Sequence, residues 1–302
     1  MATPSRALVS SMRNSGIPLP TFSMIRLPHA RNAGIAAAGA PIVAFTDDDI
    51  IVAPDWVASI ARAFERFPDA DIIGGRVLPR WPGGRPPAWL TPKQLAPLAL
   101  QDKGDAPLFV DRDNAAPCLI GANFAFRRSA FEKAGVFDGE YTRTQDREIQ
   151  IRLWKAGGRG VYVPDIVTHV DVPADRLTKD YFRLWYTRAG RFHSRMALLD
   201  VLDANGRMVE PDPDRRIAGA PAFLYLQLLG AAWQALRARI VRNDVDATYH
   251  GNRARYLASY LRERWRLAGA TLLSAAADLW RFVTRRKRSR TSPDPGAATL
   301  GA

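Results

Sequence analysis

Residues 31–56 read RNAGIAAAGAPIVAFTDDDIIVAPDW. The decisive feature is an apolar, partly β-branched run, Ile42–Thr46, that passes directly into Asp47, Asp48 and Asp49. A short apolar run bounded by turn signals reads as a buried strand. The Ala-rich residues 32–40 before it predict a short helix, with Asn32 able to cap it and Pro41 blocking its continuation. After it, residues 54–67 set Trp56, Ile60, Ala63, Phe64 and Phe67 at helical spacing, and residues 71–78 (DIIGGRVL) return as a strand. Strand, helix and strand in that order predict an α/β chain whose mixed sheet is flanked by helices.

Further along, Pro79, Pro82, Pro86, Pro87, Pro92, Pro97, Pro107 and Pro117 punctuate a segment that predicts a long loop with one short helix. Order returns at 118–127 (CLIGANFAFR), followed by a helix over 129–134 ended by Gly135. A second helix over 145–156 turns Ile149, Leu153 and Trp154 inward and stops at Gly157-Gly158. Residues 161–163 predict a last short strand before Pro164 and His169, and beyond Pro173 the chain reads as helical, with no internal repeat.

Composition narrows the class. With 302 residues and 47% apolar content the chain can bury a sizeable core, which excludes a wholly disordered protein. Its single cysteine, Cys118, excludes a disulfide scaffold and a Cys-rich zinc module. The net charge of +13 is concentrated late, since residues 221–290 hold 14 basic and 4 acidic side chains. A basic segment admits nucleic acid as a partner, but no nucleic-acid motif accompanies it, so no specific nucleic-acid partner is expected. The first 20 residues lack the apolar centre of a secretory signal.

Three adjacent carboxylates repel one another, and a hard divalent cation relieves that repulsion. Side chains alternate along an extended segment, so Asp47 and Asp49 can share one side. The C-terminal edge of an α/β sheet is also where ligands bind. By itself the triplet reads equally as a solvated acidic turn.

The order of four blocks is more specific: 31–56, IIGGRV, GANFAFRRSAFEKAGVFD and QDREIQIRLWKAGGRGVYVPDIVTHV. It resembles the family 2 glycosyltransferases over residues 27–170. The resemblance implies a GT-A-like (Rossmann-like) fold and a metal-dependent, inverting hexosyltransferase. Such an enzyme moves a sugar from a nucleotide-sugar to a glycan or lipid-linked acceptor of the cell envelope. Asp47 and Asp49 match the motif that holds Mn²⁺ or Mg²⁺ on the donor diphosphate, with Asp48 between them. Arg31 and Asn32 match a pair near the nucleotide, and Gly121-Ala122-Asn123 a loop beside the donor sugar. Asp146 matches the catalytic base, although Gln145 stands where the family usually has Glu. His169 falls where a His can complete the metal site or contact phosphate.

Each match has a plainer counterpart: Asn32 and Asp146 as helix caps, Gly121 in a tight turn, His169 in packing. The run Gln150 to Trp154 misses the Gln-x-x-Arg-Trp spacing of processive synthases, so polymer synthesis is not expected. The family's opening unit is longer than the 30 residues before Arg31, so the N-terminal part of the nucleotide-binding unit is expected to be missing.

Three regions follow: a glycosyltransferase domain over 1–175, a helical region over 176–284, and a basic disordered tail over 285–302. Residues 218–236 are uncharged but carry Pro221, Gln227, Gly230 and Gln234, which weaken a spanning helix. Residues 253–283 mix Arg262, Arg264 and Arg266 with Tyr256, Tyr260, Trp265 and Trp280, a pattern that suits a membrane interface, while RRKRSR at 285–290 suits anionic lipid. The expectation is a cytoplasmic enzyme in peripheral contact with the inner face of the membrane. The competing reading is a non-catalytic, membrane-associated binding or assembly subunit, motivated by Gln145 and the short N-terminal part.

Overall fold

The computed structural model describes residues 27–203, 205–212 and 215–291, with backbone alone at 272 and 283–291. The chain divides into two compact units: 27–185 with 202–208, and 186–201 with 209–291.

The first unit opens with helix α1 (Leu27–Ala37) and strands β1 (Ile42–Thr46) and β2 (Ile50–Val52). Helix α2 (Trp56–Arg66) and strands β3 (Ile72–Arg80), β4 (Leu108–Val110) and β5 (Asn123–Arg127) follow. Helices α3 (Ser129–Ala134) and α4 (Gln145–Lys155) precede strand β6 (Gly160–Asp171), and helix α5 (Lys179–Arg195) runs out of this unit into the second. The strands form one mixed sheet in the order β1-β5-β3-β6-β2, with β4 also beside β6. Only β3 and β6 run parallel. Trp56, Ile60, Ala63 and Phe64 of α2 close over Ile73, Ala125 and Val161 of the sheet.

β1 and β2 stand at opposite ends of this ladder, yet only Asp47, Asp48 and Asp49 join them. Four flat inter-strand steps would measure ~19 Å. The link reaches ~14 Å at most. The sheet therefore has to coil, and an irregularity in β3 and β6 accompanies the coiling. Their register passes from Gly74 opposite Tyr162 to Arg76 opposite Val167. Gly75 sits in the gap, where a Cβ would lie 1.9 Å from the Ile166 carbonyl oxygen, so only glycine fits.

Asn123 ties this gap together. Its Nδ2 donates to the carbonyls of Arg76 at 2.7 Å and Ile166 at 3.0 Å, while its Oδ1 accepts from Trp56 Nε1 at 2.8 Å.

The structure corrects several sequence expectations. Pro164 does not end the last strand. It falls within the irregular stretch, where the ladder does not require its missing N–H, and β6 runs on to Asp171, 12 residues in all. The Pro-rich segment holds three 3₁₀ turns and the short strand β4, recruited by pairing with β6. Asn32 does not cap a helix, because α1 starts five residues earlier.

The second unit contains the hairpin β7 (Arg216–Ile217) and β8 (Ala220–Pro221), followed by helices α6 (Phe223–Ile240), α7 (Asp244–Leu267) and α8 (Leu272–Thr291). Leu224 and Ala231 of α6 pack on Leu257, Tyr260 and Leu261 of α7. Asn243 caps α7, its Oδ1 accepting from the Asp246 N–H at 3.1 Å. Buried Asp200 accepts hydrogen bonds from Tyr260, Arg264 and Arg216.

The expected interface helix over 253–283 is broken between α7 and α8, and Leu257 and Tyr260 are buried in it. The backbone of 285–290, expected within a tail, continues α8, while 292–302 and the N-terminal stretch lie outside the described residues. No described helix is long and apolar enough to cross a membrane.

Candidate active site

The acidic turn, α1, the segment before β5 and the start of α4 meet above the end of β5. β1 delivers Asp47, and the Ile50 N–H closes a turn on the Asp47 carbonyl at 3.3 Å. This turn leaves Asp48 and Asp49 exposed and Asp47 half-buried.

Arg31 links the segments. It is buried, with its guanidinium among the rings of Phe45, Phe124 and Phe137 at 5.4–6.0 Å. Its Nη2 donates to Asp47 Oδ1 at 3.3 Å and to the Gly121 carbonyl at 3.1 Å. A Cβ on Gly121 would stand 2.7 Å from Arg31 Nη2 and 2.9 Å from Phe124, so the glycine makes room for the guanidinium. The N–H of Gly121 in turn donates to Asp146 Oδ2 at 3.3 Å. A continuous polar path thus runs from Asp47 through Arg31 and Gly121 to Asp146.

Burial pushes the Asp47 carboxyl above its ordinary value of 3.8. Arg31 opposes this, while the negative charges of Asp49 and Asp146 add to it. Two neighbouring carboxylates and one guanidinium leave a net negative pocket around Asp47. A divalent cation fits such a donor set, since ions of this kind often use one or two carboxylates together with substrate phosphates.

Asp146 lies in the first turn of α4 after Thr144, which takes the left-handed conformation with φ 59°. Its Oδ1 accepts from the Arg147 N–H at 2.9 Å. Both carboxylate oxygens are therefore oriented by backbone donors.

Other predicted residues are placed differently. Asn32 lies inside α1, and its amide exchanges two hydrogen bonds with the Phe137 backbone, at 2.8 and 2.9 Å. Asn123 is fully buried in the sheet, where it shapes the site without lining it. His169 is held in β6 opposite Ile51. It does not assemble with Asp47 and Asp49, for among the described residues no group of three or more His, Cys, Asp or Glu side chains forms a metal cage.

Sequence reading missed the residues that hold the loop before Gly121. Arg147 donates to the carbonyls of Ala115, Ala116 and Pro117. Fully buried Gln150 accepts from the Leu119 N–H at 2.9 Å and donates to the Leu119 carbonyl at 2.8 Å. The signal for Gln150 is its place between Ile149 and Ile151 in a buried stretch of the helix, whereas Arg147 is only half-buried and carries no such signal. Beside them, burial pushes Lys103 down and the Cys118 thiol up to about 11.

Comparison with known proteins gives a consistent picture. Residues 42–193 match the sequence profile described as glycosyl transferase family group 2. A curated relative is a glucosyl-dolichyl phosphate glucuronosyltransferase from Haloferax volcanii, 27% identical over 142 residues, which are 45% of this chain and 44% of that protein. The chain thus spans less than half the length of that relative.

Among solved structures, a mannosyltransferase from Pyrobaculum calidifontis in complex with GDP-Man and Mn²⁺ is 16% identical over 95% of this chain and 68% of its own, with a TM-score of 0.44. TarS of S. aureus is 14% identical over 87% and 47%, with a TM-score of 0.41. These structural likenesses are loose, and membership rests on the profile. That match starts at β1, takes in the acidic turn, the Gly121 segment and α4, and covers half of the sequence. With its mixed, helix-flanked sheet of the GT-A-like class, the chain belongs to the family 2 glycosyltransferases.

Proposed function

We propose that the chain transfers a hexose, with inversion, from a nucleotide-sugar to a glycan or lipid-linked acceptor. The observation that carries this reading is the path from Asp47 through Arg31 and Gly121 to Asp146, which couples an acidic cation-binding turn to a carboxylate at a helix start. Asp47 and Asp49 would hold Mn²⁺ or Mg²⁺, with Asp48 beside them. That ion, when bound, neutralises the diphosphate as it leaves.

Arg31 fixes the direction of the Asp47 carboxylate and the position of Gly121 at once. Asp146 accepts the proton of the acceptor hydroxyl, its oxygens aimed by the N–H groups of Gly121 and Arg147. Arg147, next to Asp146, holds the end of the Pro-rich segment through the carbonyls of Ala115, Ala116 and Pro117. Asn32 and Asn123 have positioning roles in this scheme. The name of the curated relative, a glucosyl-dolichyl phosphate glucuronosyltransferase, supports a lipid-linked acceptor. In this reading the chain works in the cytoplasm at the inner face of the membrane.

Calorimetric titration with UDP-, GDP- and dTDP-sugars, with and without Mn²⁺, tests the donor half. Metal-dependent binding that is lost in Asp49→Ala is the expected result. For the chemical half, Asp146→Asn should keep donor binding and lower transfer about a thousandfold. An absence of binding by any donor would favour the non-catalytic subunit instead.

A further inference from the structure

We propose that the outer face of α6 is a lipid-docking surface that takes an anionic bilayer. This deepens the membrane part of the preceding reading and rests on it for biological setting, but it stands on separate observations in the second unit.

α6 is apolar on both sides, yet its neighbours cover only one. Leu224, Ala231, Ala235 and Ala238 are buried. Phe223, Leu226, Leu229, Trp233, Leu236 and Ile240 are exposed, between 47% and 72%. Their spacing of three and four residues draws one stripe ~25 Å long along the helix. The core with Leu257, Tyr260 and Leu261 is complete without this stripe, so internal packing does not account for it. An exposed apolar strip of this extent marks a contact surface.

Charge identifies the occupant. Arg237 and Arg239 in the last turn of α6, and Arg242 just beyond it, are exposed and have no acidic partner among the described residues. Arg237 and Arg239 flank the stripe on its two sides, as helical spacing requires. The sequence of α8 adds Arg285, Arg286, Lys287, Arg288 and Arg290. A strip of Phe, Leu, Ile and Trp bordered by arginine suits the boundary between headgroups and acyl chains. No described helix can span, so the contact lies along the surface. The sequence pointed to residues 253–283 for such a face; folding buries much of that segment and leaves α6 uncovered instead.

Flotation of the full chain with vesicles tests the proposal without donor or acceptor. The chain is expected to float with vesicles of phosphatidylglycerol and phosphatidylcholine in equal parts, and weakly with phosphatidylcholine alone. Leu229→Glu combined with Trp233→Glu should lower partition about a hundredfold. Val57→Glu, at an exposed apolar position of α2, should leave partition unchanged. Replacing Arg237, Arg239 and Arg242 by Gln should lower it about tenfold or more on the anionic vesicles only.

Unchanged melting shows that the variants are folded. Wild-type chain left behind by the anionic vesicles, or a double variant that floats as well as wild type, would overturn the proposal. So would sedimentation showing a dimer that the double variant dissolves, since the stripe would then belong to a second copy. Calorimetry of donor binding is read separately, so a failure of the transfer reading and a failure of this one give different results.

Discussion

Asp47 shows how one residue is caught between stability and function. Burial raises its carboxyl above 3.8, with Arg31 opposing and Asp49 and Asp146 adding. The folded chain therefore holds that proton more tightly than the unfolded chain. The resulting stabilisation is full below 3.8 and is lost as pH rises through the folded value. Asp47→Asn keeps an oxygen for Arg31 and removes the charge. In the presence of a chelator it should melt above wild type near neutral pH, and the gap should close as pH approaches 3.8. Equal melting temperatures at both ends would show that Asp47 carries no such penalty. The same variant should lose Mn²⁺-dependent donor binding, which separates the stabilising effect from the functional one. At Gly121 the expectation is steric: Ala would press on Arg31 Nη2 at 2.7 Å, destabilise the fold by about 1–3 kcal/mol and swing Arg31 away from Asp47. Thermal melting and donor titration of Gly121→Ala check both effects.

At the scale of elements, the irregular stretch of β3 and β6 is the part most sensitive to change. Asn123→Ala would take a donor from the Ile166 carbonyl and the acceptor from the Trp56 indole N–H, and would leave the Arg76 carbonyl to the Thr168 hydroxyl, at a cost of about 2 kcal/mol, measurable by urea unfolding. Gln150→Leu should free the Leu119 amide, so that its hydrogen exchange accelerates about tenfold while β5 stays protected. The sequence showed some elements clearly. β1 and α3 fall where the apolar run and the Gly135 stop place them, because both depend on neighbouring residues alone. β4 has three residues and no periodicity, and exists through pairing with β6, so no local signal announces it. Pro164 misled for the converse reason: its rule assumes a regular ladder, and the ladder is irregular there. The site divides similarly. The acids and glycine could be located from block order. The work of Arg31, Asn123 and Gln150 depends on contacts across 16 to 90 residues of chain, which spacing cannot reveal.

At the scale of the whole molecule, two compact units rest on different kinds of core. The first is aromatic and aliphatic around the sheet. In the second, the apolar contact of α6 with α7 is joined by buried Asp200, which gathers Arg216, Arg264 and the Tyr260 hydroxyl. Removing the carboxylate in Asp200→Ala leaves two guanidiniums without their counter-charge, and about 3 kcal/mol of stability should go with it. Limited proteolysis should then cut first within 209–291, while 27–185 stays protected; early cleavage in the sheet would contradict this division of stability.

The seat that Gly121 makes for Arg31 also constrains how this protein can diverge. A larger residue at 121 presses on Arg31 and on Phe124, and a shorter side chain at 31, which relieves the first of these contacts, abandons Asp47. Drift at either position alone is therefore blocked, and drift at both dismantles the path to Asp146. A library randomised at 31 and 121 together and selected for donor binding should return Arg with Gly almost exclusively. Selected for folding alone, it should instead return many compensated pairs, and the difference between the two outcomes would measure how far function, rather than packing, holds these two positions.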